Sequence, residues 1–157
     1  DLSGADLSWA DLSGADLSRA NGALQPERCT PLLMLLDQPG LIRAYKLVTA
    51  DGTGPFNGGI TYQIGQSYEV ADADTNPAKD CGAGINVATL DWCLRNYVHG
   101  YRVLIVEFTA GDIAVIPTAT DGKFRCHRVK VVAEKDIRAF SEPRMSEAIL
   151  NGEKEDW

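Results

Sequence analysis

The first twenty residues, DLSGADLSWADLSGADLSRA, return in phase every five positions, and that period excludes an ordinary helix or strand. Leu2, Leu7, Leu12 and Leu17 hold one slot, Ala5, Ala10, Ala15 and Ala20 a second, and Asp6, Asp11 and Asp16 the polar slot between them. An apolar residue recurring at every fifth position is buried continuously only if each unit turns the same face toward one axis, so the segment is expected to coil as a solenoid. Gly22 stands where the next leucine belongs, and the coil is expected to end there.

The pattern resembles the pentapeptide-repeat family, whose members wind into a right-handed quadrilateral β-helix with Leu and Ala inward. The resemblance covers residues 1–24 and implies roughly one coil, fewer than the three or so stacked units such folds need. The expectation is therefore the last coil of a longer solenoid, or one docked on the following domain or on another chain. Asp6, Trp9, Asp11 and Asp16 project from it as a candidate interaction surface.

The remainder of the 157 residues, in a chain 45% hydrophobic, suffices for one globular domain. A net charge of −7 argues against nucleic acid and anionic membrane as partners and toward a basic protein partner, with a homo-oligomer also compatible. No apolar run reaches the eighteen or so residues of a membrane span, so the expected location is the cytoplasm. Cys29, Cys81, Cys93 and Cys126 lack any CxxC spacing and read as reduced thiols. Neither these nor His99 and His127 form the paired spacing of a zinc site, and no metal is expected.

Thr30-Pro31 before PLLMLLDQPG predicts a short buried helix within a 25–40 linker. Strands are predicted over 41–50, 60–65, 68–70, 102–108, 113–116 and 124–132, where β-branched and aromatic residues lie between Gly, Asp and Pro clusters. Glycines then lead through a short strand near Ile85 into a helix from Thr89 to about Tyr97. A last helix is predicted after Ser141, ahead of an acidic tail, leaving 41–140 as the domain and 141–157 as its extension.

CGAGINVATLDWCLRNY, residues 81–97, resembles the poly(ADP-ribose) polymerase branch of the ADP-ribosyltransferases, where a Gly-Ile-Tyr-Phe-Ala stretch leads into a helix ending Ala-Asn-Tyr. Gly84, Ile85, Ala88, Asn96 and Tyr97 occupy the matching slots, as do Leu104, Glu107, Gly111 and Asp112 in the next strand and turn. The resemblance implies a small mixed α+β domain of ADP-ribosyltransferase-like fold following the β-helix. That family holds NAD with a His, a Tyr and a late Glu; here Tyr45 or Lys46, Asn86, and His127 or Arg128 stand at those places. Without the carboxylate that stabilises positive charge on the ribose, transferase turnover is not expected.

A second resemblance, to phage rapid-lysis B-like proteins and domains appended to pentapeptide repeats, rests on Cys81 to Val87, Gly111 to Pro117 and Lys123 to Arg125. It implies a phage or prophage setting, with a virion as the alternative location, and a small accessory domain. DGKFRCHRVK adds a basic cluster, in which alternation sets Lys123, Arg125 and His127 on one strand face as an anion-site candidate beside Gly84 and Asn86, with a solvated face as the plainer reading.

The leading expectation is thus a non-catalytic interaction or structural accessory protein with no cofactor. The alternative is a divergent ADP-ribosyltransferase-like enzyme or nucleotide binder that uses Tyr45, Lys46, Asn86 and Glu107 with NAD. For the repeat, Leu12→Asp is expected to unfold the coil, read as a lower melting temperature and faster proteolysis within residues 1–24; unchanged values would refute the buried-leucine arrangement.

Overall fold

Short apolar runs of alternating burial build a seven-stranded, wholly antiparallel sheet in the computed structural model, which describes residues 30–56 and 58–140 together with Ser8, Asp11 and Ser13. The strands are β1 (Ile42–Val48), β2 (Ser67–Glu69), β3 (Ile85–Ala88), β4 (Arg102–Phe108), β5 (Ile113–Val115), β6 (Lys123–Cys126) and β7 (Arg128–Glu134), in the order β2-β7-β4-β1-β3-β6-β5. The one α-helix among the described residues, α1 (Leu90–Arg95), lies between β3 and β4.

Only His127 separates β6 from β7, although they are sixth and second in the sheet order, so the sheet must curl until its two sides meet at that residue. The His127 N–H donates to the Asp112 carbonyl beside β5, and its carbonyl accepts from Val70 N–H beyond β2, each at 2.7 Å. The expected strand over 124–132 is therefore two strands with a corner between them.

Inside the curl, Ile42, Ala44 and Val48 of β1 pack with Leu104, Val106 and Phe108 of β4, with Ile85, Val87 and Phe124, and with Val129 and Val131. The alternate residues Leu47 and Val103 face outward and bury Trp92 and Cys93 of α1, as the two-residue period of a strand requires. The β1–β4 pairing is continuous over seven residues, from Ile42↔Phe108 to Val48↔Arg102. A bulge in β7 where it meets Ile105 and Val106 increases the bend.

The expectation of a mixed α+β, ADP-ribosyltransferase-like domain is overturned: the described residues are mainly β, one antiparallel sheet with a single six-residue helix. The glycine-strand-helix motif at residues 82–95 is present, but it specifies only a local turn. Its helix is too short to form a layer, because Asn96 closes it by donating from Nδ2 to the Trp92 carbonyl and Gly100 then adopts φ 92°. Asp91 in the first turn and Arg95 in the last suit the helix dipole.

The predicted buried helix after Thr30 is a 3-10 segment, Pro31–Asp37, with no buried residue, although Thr30 Oγ1 caps it by accepting from Leu32 N–H at 3.3 Å. Residues 60–65 form no strand and contribute one bridge, Thr53↔Thr61. The helix expected after Ser141 and the 1–24 coil lie outside the described residues, three isolated positions of the coil excepted.

Leu104 is fully buried at the centre of the inner core. Leu104→Ala is expected to cost about 2–5 kcal/mol, measured as a shift of the urea midpoint, and a loss well under 1 kcal/mol would contradict this packing.

Candidate ligand-binding cavity

Arg125 is fully buried on β6, and its guanidinium donates only to main-chain carbonyls: Nε to Asp74 at 2.9 Å, Nη1 to Lys79 and Asp80 at 2.9 and 3.2 Å, and Nη2 to Asn76 at 3.1 Å. A planar five-donor fork suits this task, since it satisfies converging carbonyls that no single ammonium reaches. The loop it holds is braced internally, with Asp74 Oδ1 accepting from Asn76 N–H, Asn76 Oδ1 from Ala78 N–H, and Asp74 Oδ2 paired with Lys79 Nζ at 2.7 Å. The chain then passes through Cys81, Gly82 and Gly84 into β3. Gly84 has φ 128°, and a Cβ there would lie 2.9 Å from the Ala73 Cβ, so this close passage requires glycine.

β3 meets β1 through a single registered pair, Tyr45↔Ala88, whereas it meets β6 along all four residues. The sheet is splayed at that seam. A cavity of about 500 Å³ fills the gap, lined by residues from both faces: Tyr45 and Leu47 from the outer side, Lys46 and Val87 from the inner. Phe56 and Gly58 bound it from the loop after β1, Cys81 to Gly84 from the Arg125-held loop, and Trp92, Tyr62 and Lys123 complete the wall.

Lys46 takes the inward position between Ala44 and Val48 and is 6% exposed. Its Nζ donates to the Asn86 carbonyl at 2.7 Å and lies 4.4 Å from the centre of the Tyr62 ring. It has no carboxylate within ion-pair distance among the described residues. Burial lowers its pKa to about 8, opposed by the nearby Cys93 and Cys126. The same burial raises the Tyr62 hydroxyl and the Cys126 thiol above their ordinary ranges and pushes the Cys93 thiol up to about 12.

Lys123, 7% exposed, lies against the second loop, with Nζ 2.9 Å from Cys81 Sγ, 3.4 Å from Asp80 Oδ2 and 5.8 Å from the Trp92 ring centre. Asn86 lies on β3, the strand between those that carry the two lysines; its Oδ1 is buried without a hydrogen-bond partner, and its Nδ2 reaches only the Gly82 carbonyl at 3.5 Å. A buried acceptor left unpaired is costly. Phe56, 62% exposed, meets Trp92 edge to face at 6.2 Å and stands at the rim. Among the described residues, no Asp or Glu lines the cavity.

Of the residues singled out from the sequence, Tyr45, Lys46, Gly84, Asn86 and Lys123 converge on this cavity. Arg125 lies behind it as a brace, its donors on the main chain rather than open to a ligand. His127 faces elsewhere, with Nδ1 3.3 Å from the Val70 carbonyl, and Glu107 pairs with Arg43 at 2.8 Å on β4. Asp11 is exposed and accepts from the Ser13 side chain and N–H, which together hold its carboxyl below the usual range; Asp6, Trp9 and Asp16 lie outside the described residues. Phe56, Tyr62 and the Cys81–Lys123 contact were not anticipated, and the cluster Gly54-Pro55-Phe56 beside Gly58-Gly59 is the one local sign of a loop laid over a site.

Residues 1–23 match the family model of pentapeptide repeats (8 copies). The N-terminal segment is a pentapeptide repeat. The match ends before the sheet, and no curated protein and no solved structure matches the chain. The resemblances to rapid-lysis B-like proteins and to ADP-ribosyltransferases thus find no support. Among the described residues, no group of three or more His, Cys, Asp or Glu could hold a metal ion, and no helix is long and apolar enough to cross a membrane.

The depressed Lys46 gives a signed pH dependence. Its charged form is disfavoured in the folded state, so the resulting penalty is complete below pH 8 and is relieved as pH rises from about 8 to 10.5, where the unfolded chain still binds the proton. The stability of the wild type relative to Lys46→Met is expected to rise across that window by roughly 3 kcal/mol, read from urea titrations of both proteins. A flat difference would show that Lys46 titrates normally.

Proposed function

We propose that the domain spanning residues 30–140 is a non-catalytic binding module for a small anionic ligand that carries a planar ring, of mononucleotide class. The observation that carries this reading is the cavity wall: two nearly buried lysines, and Asn86 with its unpartnered amide oxygen, line a space walled by Trp92, Tyr62 and Phe56, with no carboxylate among the described lining residues. Lys46 and Lys123 complement a phosphate as point charges. Asn86 Oδ1 accepts from an exocyclic amine or hydroxyl, and the aromatic walls cover the ring. A cavity of about 500 Å³ suits such a ligand. The binding reading needs no reaction at the site.

A second reading, docking of a protein partner or a second copy, is favoured by the exposed apolar side chains Leu33, Met34, Leu36 and Leu41, close after the repeat.

Calorimetric titration with AMP, adenosine and inorganic phosphate tests the ligand reading. AMP is expected to bind in the micromolar range and more tightly than either fragment, with at least a tenfold loss in Lys46→Gln and in Lys123→Gln. No heat with AMP, or affinity unchanged in both variants, would overturn it.

A further inference from the structure

At the cavity wall a thiol and an amine from distant parts of the chain are held in hydrogen-bond contact. Cys81 Sγ lies 2.9 Å from Lys123 Nζ, closer than an ordinary nitrogen–sulfur hydrogen bond requires. The two have different freedom. Cys81 is exposed on the loop pinned by Arg125, so a small oxidant reaches its sulfur. Lys123 is nearly buried on β6, flanked by the Asp80 carboxylate and the Trp92 ring, and cannot swing away without losing both. Cys93 and Cys126 are buried and carry raised thiol pKa values, so of the described cysteines Cys81 is the one set to react.

We propose that Cys81 and Lys123 form a modification site at which hydrogen peroxide drives a reversible sulfur–nitrogen crosslink. In the first step the Cys81 sulfur attacks peroxide, the O–O bond breaks, and the thiol proton leaves with the departing oxygen as water; sulfur is oxidised to the sulfenic acid and peroxide is reduced. In the second, Lys123 in its free-amine form attacks that sulfur, the S–O bond breaks, and hydroxide leaves as water with one amine proton. The product is a sulfenamide, and the protein has lost two hydrogen atoms. Condensation of a sulfenic acid with a neighbouring nitrogen is established chemistry for the backbone amide, and a free lysine amine, here 2.9 Å from the sulfur, is more nucleophilic than an amide. Two equivalents of an external thiol reverse the bond, regenerating Cys81 and Lys123 with formation of one external disulfide.

The crosslink also removes one cation from the cavity, and that consequence alone rests on the ligand reading. Anion affinity and peroxide then oppose each other at one residue.

The test uses the full chain carrying Cys29→Ser, treated with hydrogen peroxide without ligand and mapped by mass spectrometry. The expected result is an intact mass lower by about 2 Da, a linked pair of peptides containing Cys81 and Lys123, and recovery of both on treatment with dithiothreitol. In Lys123→Met the sulfenic acid persists and is trapped by dimedone. Dimedone labelling of Cys81 in the protein with Lys123 intact, or absence of the linked peptides, would overturn the proposal, and neither depends on that variant folding. Because no ligand is present, failure here is distinct from failure of the AMP titration.

Discussion

A fully buried guanidinium with no carboxylate in ion-pair contact among the described residues is expensive, and the structure accepts Arg125 because four carbonyls converge on it. Between β2 and β3 the chain runs through residues 70–84 with no strand or helix of its own, and without an anchor such a loop has little to order it. Arg125 supplies the anchor from β6, the strand that also pairs with β3, so the loop, its exit at Gly84 and the Lys123 side chain two residues away share one frame. The geometry of the cavity's polar wall depends on that frame more than on any contact within the wall.

The other determinant is the failure of β1 and β3 to zip. Their single pair leaves backbone groups along the seam without a ladder, and Lys46 answers one of them by donating to the Asn86 carbonyl. This explains why a lysine occupies an inward slot otherwise held by Ala44 and Val48. Its long apolar stem crosses the core and its ammonium serves where the neighbouring strand does not. A depressed pKa follows from that position.

Strand periodicity was legible from the sequence because each strand's own alternation encodes it: β4 appears at its predicted bounds, and β1 within two residues of them. The class of the domain was not. A glycine run entering a strand and a capped helix suits several folds, and the resemblance to a mixed α+β architecture rested on that local grammar, whereas the partnering of β7 with β2 and β4 arises from contacts distant in sequence. The site shows the same division. Lys46 and Asn86 drew attention through the ADP-ribosyltransferase resemblance and Lys123 through the basic cluster, in which alternation set Lys123, Arg125 and His127 on one face; His127 instead lies at the corner between β6 and β7. Alternation is silent on whether a cation is offered to a ligand or consumed by a loop, and Arg125 is consumed. The Cys81–Lys123 contact joins positions forty-two apart and left no mark in either neighbourhood.

Tying both sides of the sheet back to the backbone of His127 also governs what other chains can do with it. The outermost strands, β2 and β5, are only three residues long, and hydrogen bonds to His127 are made beside each. Neither margin then presents the long, straight row of free amides and carbonyls on which a strand from another molecule grows, and Glu69 and Arg128 add charge where β2 meets β7. Recruitment by strand addition is disfavoured, and association with a neighbour is left to side-chain surfaces, whose specificity can change without disturbing the ladder beneath.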